Sequence, residues 1–286
     1  MAKKSFLVRF AGGLFNALKW LVVHLFSLLK WVVLAVWSAL TWLFRAGKQT
    51  ATAAKAAHAE SKRPSSKASF EPLADVQSLQ GDLTAFENGL YERKSAIGLI
   101  LGARGTGKSA LGMRILENVS AQTGRPVYAM GFDRLTLPQW MHSAENLADV
   151  KNGAFLLVDE GGITFSSRSS MSNANKLLSE LLLISRHKDI SVLFISQNSS
   201  NLEVNAIRQT DYLLLKPPSL LQLGFERKNI RDIYAEVKDS FDALAKSHRG
   251  LVYVYSDSYR GFAENGLPSF WNERVSKAFK NKASGR

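Results

Sequence analysis

The sequence predicts an α/β protein, a mainly parallel sheet flanked by helices, preceded by a long apolar helix at the N-terminus. Three observations carry this. Beyond residue 95, short apolar runs alternate with helical stretches, as in a sheet wound with helices on both faces. One run, 97–101, leads straight into a glycine-rich turn and then a helical pattern. Residues 6–44 are dominated by Leu, Val, Phe, Ala and Trp.

The N-terminal segment repeats every eleven residues, with Trp20, Trp31 and Trp42 in register, and eleven residues are close to three helical turns. At about 100° per residue its polar side chains, Lys19, His24, Lys30, Arg45 and Lys48 among them, gather within roughly 140°, leaving a wide apolar face. A helix over 5–48 would be about 66 Å long, roughly twice what a ~30 Å hydrocarbon layer needs. The longest run without a charge, 31–44, is short for a span, whereas 20–44 suffices if Lys30 snorkels or faces another helix. Interfacial Trp and flanking cations suit both a transmembrane span and a helix lying in the headgroup plane. A core helix of a soluble bundle would need cover on nearly all sides. A cleaved signal peptide is rejected, because the apolar region is too long and carries lysines. The predicted division is a membrane-associated helix over 1–48, a flexible basic linker over 49–70 rich in Ala, Lys and Ser, a nucleotide domain over 71–273 and a basic tail over 274–286.

The 286 residues, 46% hydrophobic, suffice for one sizeable α/β domain plus an appendage. The net charge of +13 invites a nucleic-acid reading, but 1–70 hold eleven Lys/Arg against Glu60 alone, and 274–286 hold five cations and no acid. That leaves 21 basic and 23 acidic residues in 71–273, so any grip on nucleic acid by the domain must come from local loops. The lack of cysteine is compatible with a reducing compartment. The five histidines show no metal-ligand spacing, no nucleophilic triad is visible, and Mg²⁺ is the one metal assigned.

Residues 102–109, Gly-Ala-Arg-Gly-Thr-Gly-Lys-Ser, fit the phosphate-binding pattern Gly-x4-Gly-Lys-Ser. Gly102, Gly105, Thr106 and Gly107 turn backbone N–H groups toward phosphate oxygens, Lys108 reaches the β and γ phosphates, and Ser109 ligates Mg²⁺. A helix from Ser109 adds its N-terminal dipole. The pattern points to ATP. Further strands are predicted at 126–130, 154–158, 191–195, 211–215 and 251–255, their carboxyl ends forming the site. Asp159 would hold Mg²⁺, and Glu160 would orient and deprotonate the attacking water. Gln197 would hydrogen-bond the γ-phosphate or the water; a solvated turn residue is the alternative.

Ser172 would cap a helix over 173–185 whose apolar positions Leu177, Leu178, Leu181, Leu182 and Ile184 face inward and which ends in Arg186-His187-Lys188. Arg186 either satisfies the last carbonyls of that helix or completes a neighbouring subunit's site, with Arg208 the competing candidate. The loop 166–172, with Arg168, reads as a mobile surface loop or a DNA-backbone contact. Arg227, Lys228 and Arg231, interleaved with acids, read as a solvated helix face. Phe270-Trp271 ahead of the basic tail would dock on a membrane, DNA or a neighbour.

The succession GARGTGKS at 102–109, FLLVDEGG at 155–162 and SRHKDISVLFISQNSSNLEVNAIRQTDYLLLK at 185–216 resembles the FtsK/HerA superfamily of ring-forming DNA-pumping ATPases. It is similar to the packaging ATPases of membrane-containing viruses and to Zot-like phage morphogenesis ATPases. The resemblance covers about 95–216. It implies a RecA-like fold, a hexameric homo-oligomer, a catalytic Glu160, a sensor Gln197 and a trans-acting arginine among Arg186 and Arg208. The implied activity is ATP hydrolysis that moves double- or single-stranded DNA at a membrane, with the ATPase domain in the cytoplasm. The alternative is assembly or export of proteins such as viral or phage coat proteins. Packaging ATPases of this kind generally lack a long apolar N-terminus, and Zot-like proteins carry their span after the ATPase region.

Overall fold

The computed structural model describes residues 19–21, 24–26, 28–32, 34, 36–48, 61, 63–160 and 170–276, the last with backbone alone over 170–177. Loop residue Arg168, the cap Ser172 as a side chain, and the tail beyond Ser276 lie outside what is described. The chain divides into two compact units, Met1–Ser61 and Lys62–Arg286.

In the first unit Lys19–Lys48 is one helix of 30 residues, about 45 Å long, with a mean hydropathy of 1.9 in its most apolar window. Trp20, Trp31 and Trp42 are all more than 60% exposed. The helix is long and apolar enough to cross a bilayer.

The second unit is built on a nine-stranded sheet: β1 (Ala74–Gly81), β2 (Ile97–Leu101), β3 (Val127–Met130), β4 (Met141–Ala144), β5 (Phe155–Asp159), β6 (Ser191–Ile195), β7 (Tyr212–Leu215), β8 (Leu251–Ser256) and β9 (Tyr259–Glu264), in the order β1-β9-β8-β7-β2-β6-β5-β3-β4. From β7 to β4 every neighbouring pair is parallel. These inner strands are wholly buried apolar runs, as strands covered on both faces must be. One face packs the helices Leu83–Glu92 and Lys108–Thr123, the other Ser170–Lys188, Lys228–Glu236 and Lys238–Leu244.

The run expected at 251–255 is a strand, but it pairs antiparallel with β7, and β9 and β1 extend the sheet the same way. For β9 the reason is connection length. β8 and β9 are joined by the two residues Asp257 and Ser258, which permits a hairpin and no crossover. β1, β4 and β9 went unread because they are short, exposed or rich in polar residues.

Part of the segment read as a linker is fastened to this unit. Arg63 is 6% exposed and donates to the carbonyls of Leu137, Pro138 and Met141, while Pro64 O accepts from Gln139 N–H. Farther on, Ser69 N–H donates to Glu117 Oε1 and Glu71 N–H to Asn118 Oδ1, both on the Lys108–Thr123 helix. Alanine- and lysine-rich composition signalled a coil because docking through backbone carbonyls leaves no apolar period to read. Phe270 and Trp271 also pack inward, Phe270 edge-on against Trp140 at 5.6 Å, so they belong to the core and not to a docking surface.

Candidate functional site

The site is set by strand order. β6 lies between β2 and β5, and the register pairs Ile100 with Ile195 and Ile195 with Asp159. The tips of β2, β6 and β5 therefore end level, bringing Gly102, Ser196 and Asp159-Glu160 to one edge.

At the tip of β2 the chain turns through Gly105 (φ +82°) and Gly107 (φ +85°), left-handed conformations in which L side chains are strained. Neither glycine has a protein atom within 4 Å of where a Cβ would stand, so the turn opens outward as a cradle. Thr106 Oγ1 closes the turn on Ala103 O at 2.8 Å. Gly107 caps the Lys108–Thr123 helix without a side-chain bond, leaving the first helical N–H groups aimed at the cradle. The helix starts one residue before Ser109. At Gly112 it approaches β5 so closely that a Cβ would stand 2.6 Å from Leu157 Cδ1.

Lys108 is 7% exposed, and its Nζ donates to Gly102 O at 2.7 Å and Ala103 O at 2.9 Å. Burial holds its amine below the usual lysine range, against the upward pull of Asp159 and Glu160. Ser109 Oγ donates to Asp159 Oδ2 at 2.8 Å, so the two oxygens expected to share a cation are already neighbours. A hydroxyl and a carboxylate are hard oxygen donors, and such a pair suits Mg²⁺, which keeps most of its waters and takes one or two protein ligands.

Glu160 follows Asp159, and burial raises its carboxyl above the ordinary glutamate value, with the Asp159 charge adding to the rise. Hydrogen bonds from Ser196 Oγ, the Asn201 side chain and the Gln197 N–H oppose that shift. Ser196 is 1% exposed. Neither Ser196 nor Asn201 was singled out from sequence; the position of Ser196 one residue past a buried strand was the available signal.

Gln197 does reach the strand-tip edge. It is exposed, its N–H serves Glu160, and its carbonyl accepts from Gln222 Nε2 at 2.5 Å. Arg186 and Arg208 are not brought to the site. Arg186 precedes β6 and Arg208 precedes β7, so both exposed guanidiniums belong to the opposite edge of the sheet, a strand length of roughly 16 Å away. Neither therefore serves its own chain's site, and the expectation for both concerned a neighbouring subunit's site. Arg227 is corrected. It donates to Ser199 O and Leu202 O, satisfying carbonyls of a short 3₁₀ turn, while Lys228 and Arg231 are exposed as expected.

No protein-family model and no curated protein matches the chain. Solved structures do. The chain is similar to a viral DNA-packaging ATPase. That protein, B204 of Sulfolobus turreted icosahedral virus, is 11% identical, with 61% of this chain and 99% of that one covered at a TM-score of 0.41. B204 of Sulfolobus turreted icosahedral virus 2, in complex with ATP-γS, is 13% identical over 60% and 98% at 0.43. The pCW3 conjugation coupling protein TcpA, with ATPγS, is 13% identical over 77% and 74% at 0.42. These are likenesses of fold, and the reading of the site rests on the distances above.

Proposed function

We propose that this chain is a Mg²⁺-dependent ATPase, tethered to a membrane by the Lys19–Lys48 helix, that works as a homo-oligomeric ring to translocate or package DNA. The observation that carries it is the 2.8 Å contact between Ser109 Oγ and Asp159 Oδ2, which joins the turn bearing Lys108 to the strand bearing Glu160. Lys108 and the backbone N–H groups of 105–109 would hold the triphosphate, and Ser109 and Asp159 would hold Mg²⁺, which would supply neutralisation of phosphate charge. Glu160, its carboxylate oriented by Ser196 and Asn201, places the attacking water and takes its proton. Gln197, beside Glu160, is the proposed sensor of the γ-phosphate. Arg186 and Arg208, exposed and far from their own site, suit a cation supplied to a neighbouring subunit, a device worth about 10³–10⁵ in rate where it is used.

The sequence resemblance over 185–216 supports DNA as the moved substrate, and the apolar helix with flanking Lys19, Arg45 and Lys48 supports the membrane. With 71–273 close to neutral, the grip on DNA comes from a few loop contacts on each of several subunits. The test is turnover by the full chain with and without duplex DNA: stimulation by DNA, loss of turnover in Lys108→Ala, and ATP-bound oligomers trapped by Glu160→Gln are expected. DNA-indifferent turnover would exclude translocation.

A second reading, a Zot-like ATPase driving assembly or export of coat proteins at a membrane, is favoured by one observation. Leu220, Leu221 and Phe225, on a short helix bonded to the Gln197 carbonyl through Gln222, are 86%, 80% and 71% exposed, a surface suited to protein. Stimulation by a coat protein in place of DNA distinguishes it.

A further inference from the structure

Lys216 directly follows β7 and is 1% exposed. Its Nζ donates to Gly250 O at 2.7 Å and to Asn265 Oδ1 at 2.6 Å, acceptors just before β8 and just after β9, side by side at the open end of the hairpin. Burial brings its amine down to about 7, against the opposing pull of Glu264, whose carboxylate is paired with His248 at 2.7 Å. Burying a lysine this deeply disfavours folding unless its N–H groups are fully used, so the two acceptors define a built position.

The backbone of the same residue meets the phosphate loop. Lys216 N–H donates to Leu101 O at 2.8 Å, Ala103 N–H donates to Pro217 O at 3.2 Å, and Tyr234 Oη steadies Lys216 O at 3.0 Å. Between those two bonds lies Gly102, where a Cβ would stand 2.6 Å from Lys216 Cβ. The 216–217 segment is thus the back wall of the loop entry. On the front of the same entry, Lys108 Nζ donates to the carbonyls of Gly102 and Ala103, which leaves one of its three N–H donors for a phosphate.

We propose that Lys216 is a positioning residue of the nucleotide site: clamped between Gly250 and Asn265, it anchors the loop entry at 101–103 from behind, so that the antiparallel hairpin holds the phosphate cradle in its binding shape. This inference rests on the nucleotide reading of that cradle. Misplacing a binding group by an ångström costs up to about 100-fold, and Lys216 touches neither Asp159 nor Glu160, so the effect falls on binding and not on the chemical step.

The full chain, wild type and Lys216→Met, is titrated with a fluorescent ATP analogue and assayed for turnover, with Lys108→Ala alongside. The expected result is analogue binding roughly tenfold or more weaker in Lys216→Met, an equal rise in KM for ATP, and kcat within about threefold. A cooperatively melting Lys216→Met with unchanged affinity, or with kcat lowered and KM kept, overturns the proposal. If Lys216→Met does not melt cooperatively, Asn265→Ala decides: binding about threefold or more weaker supports the anchor, and unchanged binding overturns it. Wild type binding the analogue no better than Lys108→Ala would instead sink the nucleotide reading itself, a result separable from any effect at Lys216.

Discussion

Ser196 Oγ donates a hydrogen bond to Glu160 Oε2, linking the tip of β6 to the residue beyond β5. That bond favours the ionised carboxylate, so removing it must push the Glu160 carboxyl further up. Ser196→Ala is expected to lower kcat roughly tenfold and to move the acid limb of the kcat–pH profile to higher pH, with KM for ATP unchanged. A pH series of initial rates checks this; an unmoved acid limb would remove Ser196 from the account of Glu160.

Asp159 Oδ2 neighbours the Ser109 hydroxyl, so an amide in place of the carboxylate leaves only neutral oxygens facing the cation. Asp159→Asn is expected to raise the Mg²⁺ concentration for half-maximal turnover about tenfold or more, more than Ser109→Ala does, because the negative charge is lost. Rates measured across a Mg²⁺ titration at saturating ATP decide the order.

Glu117 is fully buried on the Lys108–Thr123 helix and accepts from Ser69 N–H, Ser269 N–H and Ser269 Oγ while pairing with Arg114 at 3.1 Å. Truncating it takes one of two carboxylates from the Arg114 guanidinium, itself 2% exposed and left with Glu71 at 2.8 Å, and strands two backbone donors. Glu117→Ala is expected to cost about 2–4 kcal/mol of stability, read as a lowered urea midpoint of the second unit. A loss under about 1 kcal/mol would mean the segments at 69–71 and 267–270 hold without it.

Lys216 carries a pH dependence of stability. Its amine titrates near 7 in the fold and near 10.4 when unfolded, so between those values the unfolded chain binds more protons and folding stability rises with pH. Denaturant midpoints are expected to climb from pH 7 to pH 9 in the wild type, and the climb to shrink in Lys216→Met. Above about pH 10 the buried tyrosines reverse the trend, because Tyr212 and Tyr234 are held above the ordinary phenol range by burial.

The chemistry of the site was more legible than the frame around it. Lys108, Ser109, Asp159 and Glu160 announce themselves because a phosphate turn and a strand-ending acid pair need fixed residue types at fixed spacing, and the structure brings them to one edge. For Arg186 and Arg208 the sequence could offer only alternatives, because a cation at a helix end reads the same whichever edge of the sheet it faces. Ser196, Asn201 and Lys216 were silent: a serine after a strand or a lysine after Leu215 has an ordinary solvated reading, and only long-range pairing, Ser196 with Glu160 and Lys216 with Gly250 and Asn265, reveals the work. The parallel centre followed from apolar alternation, whereas β1 is almost wholly exposed, β4 is four residues long, and β9 carries Arg260, Gly261 and Glu264 among its apolar residues and so shows no apolar run.

Gly112 has a mechanical corollary. The absent side chain lets the helix that follows the phosphate turn settle directly on the tips of Leu157 and Ile195, so the turn's position is referenced to the same two strands whose ends carry Asp159 and Ser196. On the proposed ATPase reading, widening residue 112 would be felt at the fuel-gripping turn and the acid-bearing strand together.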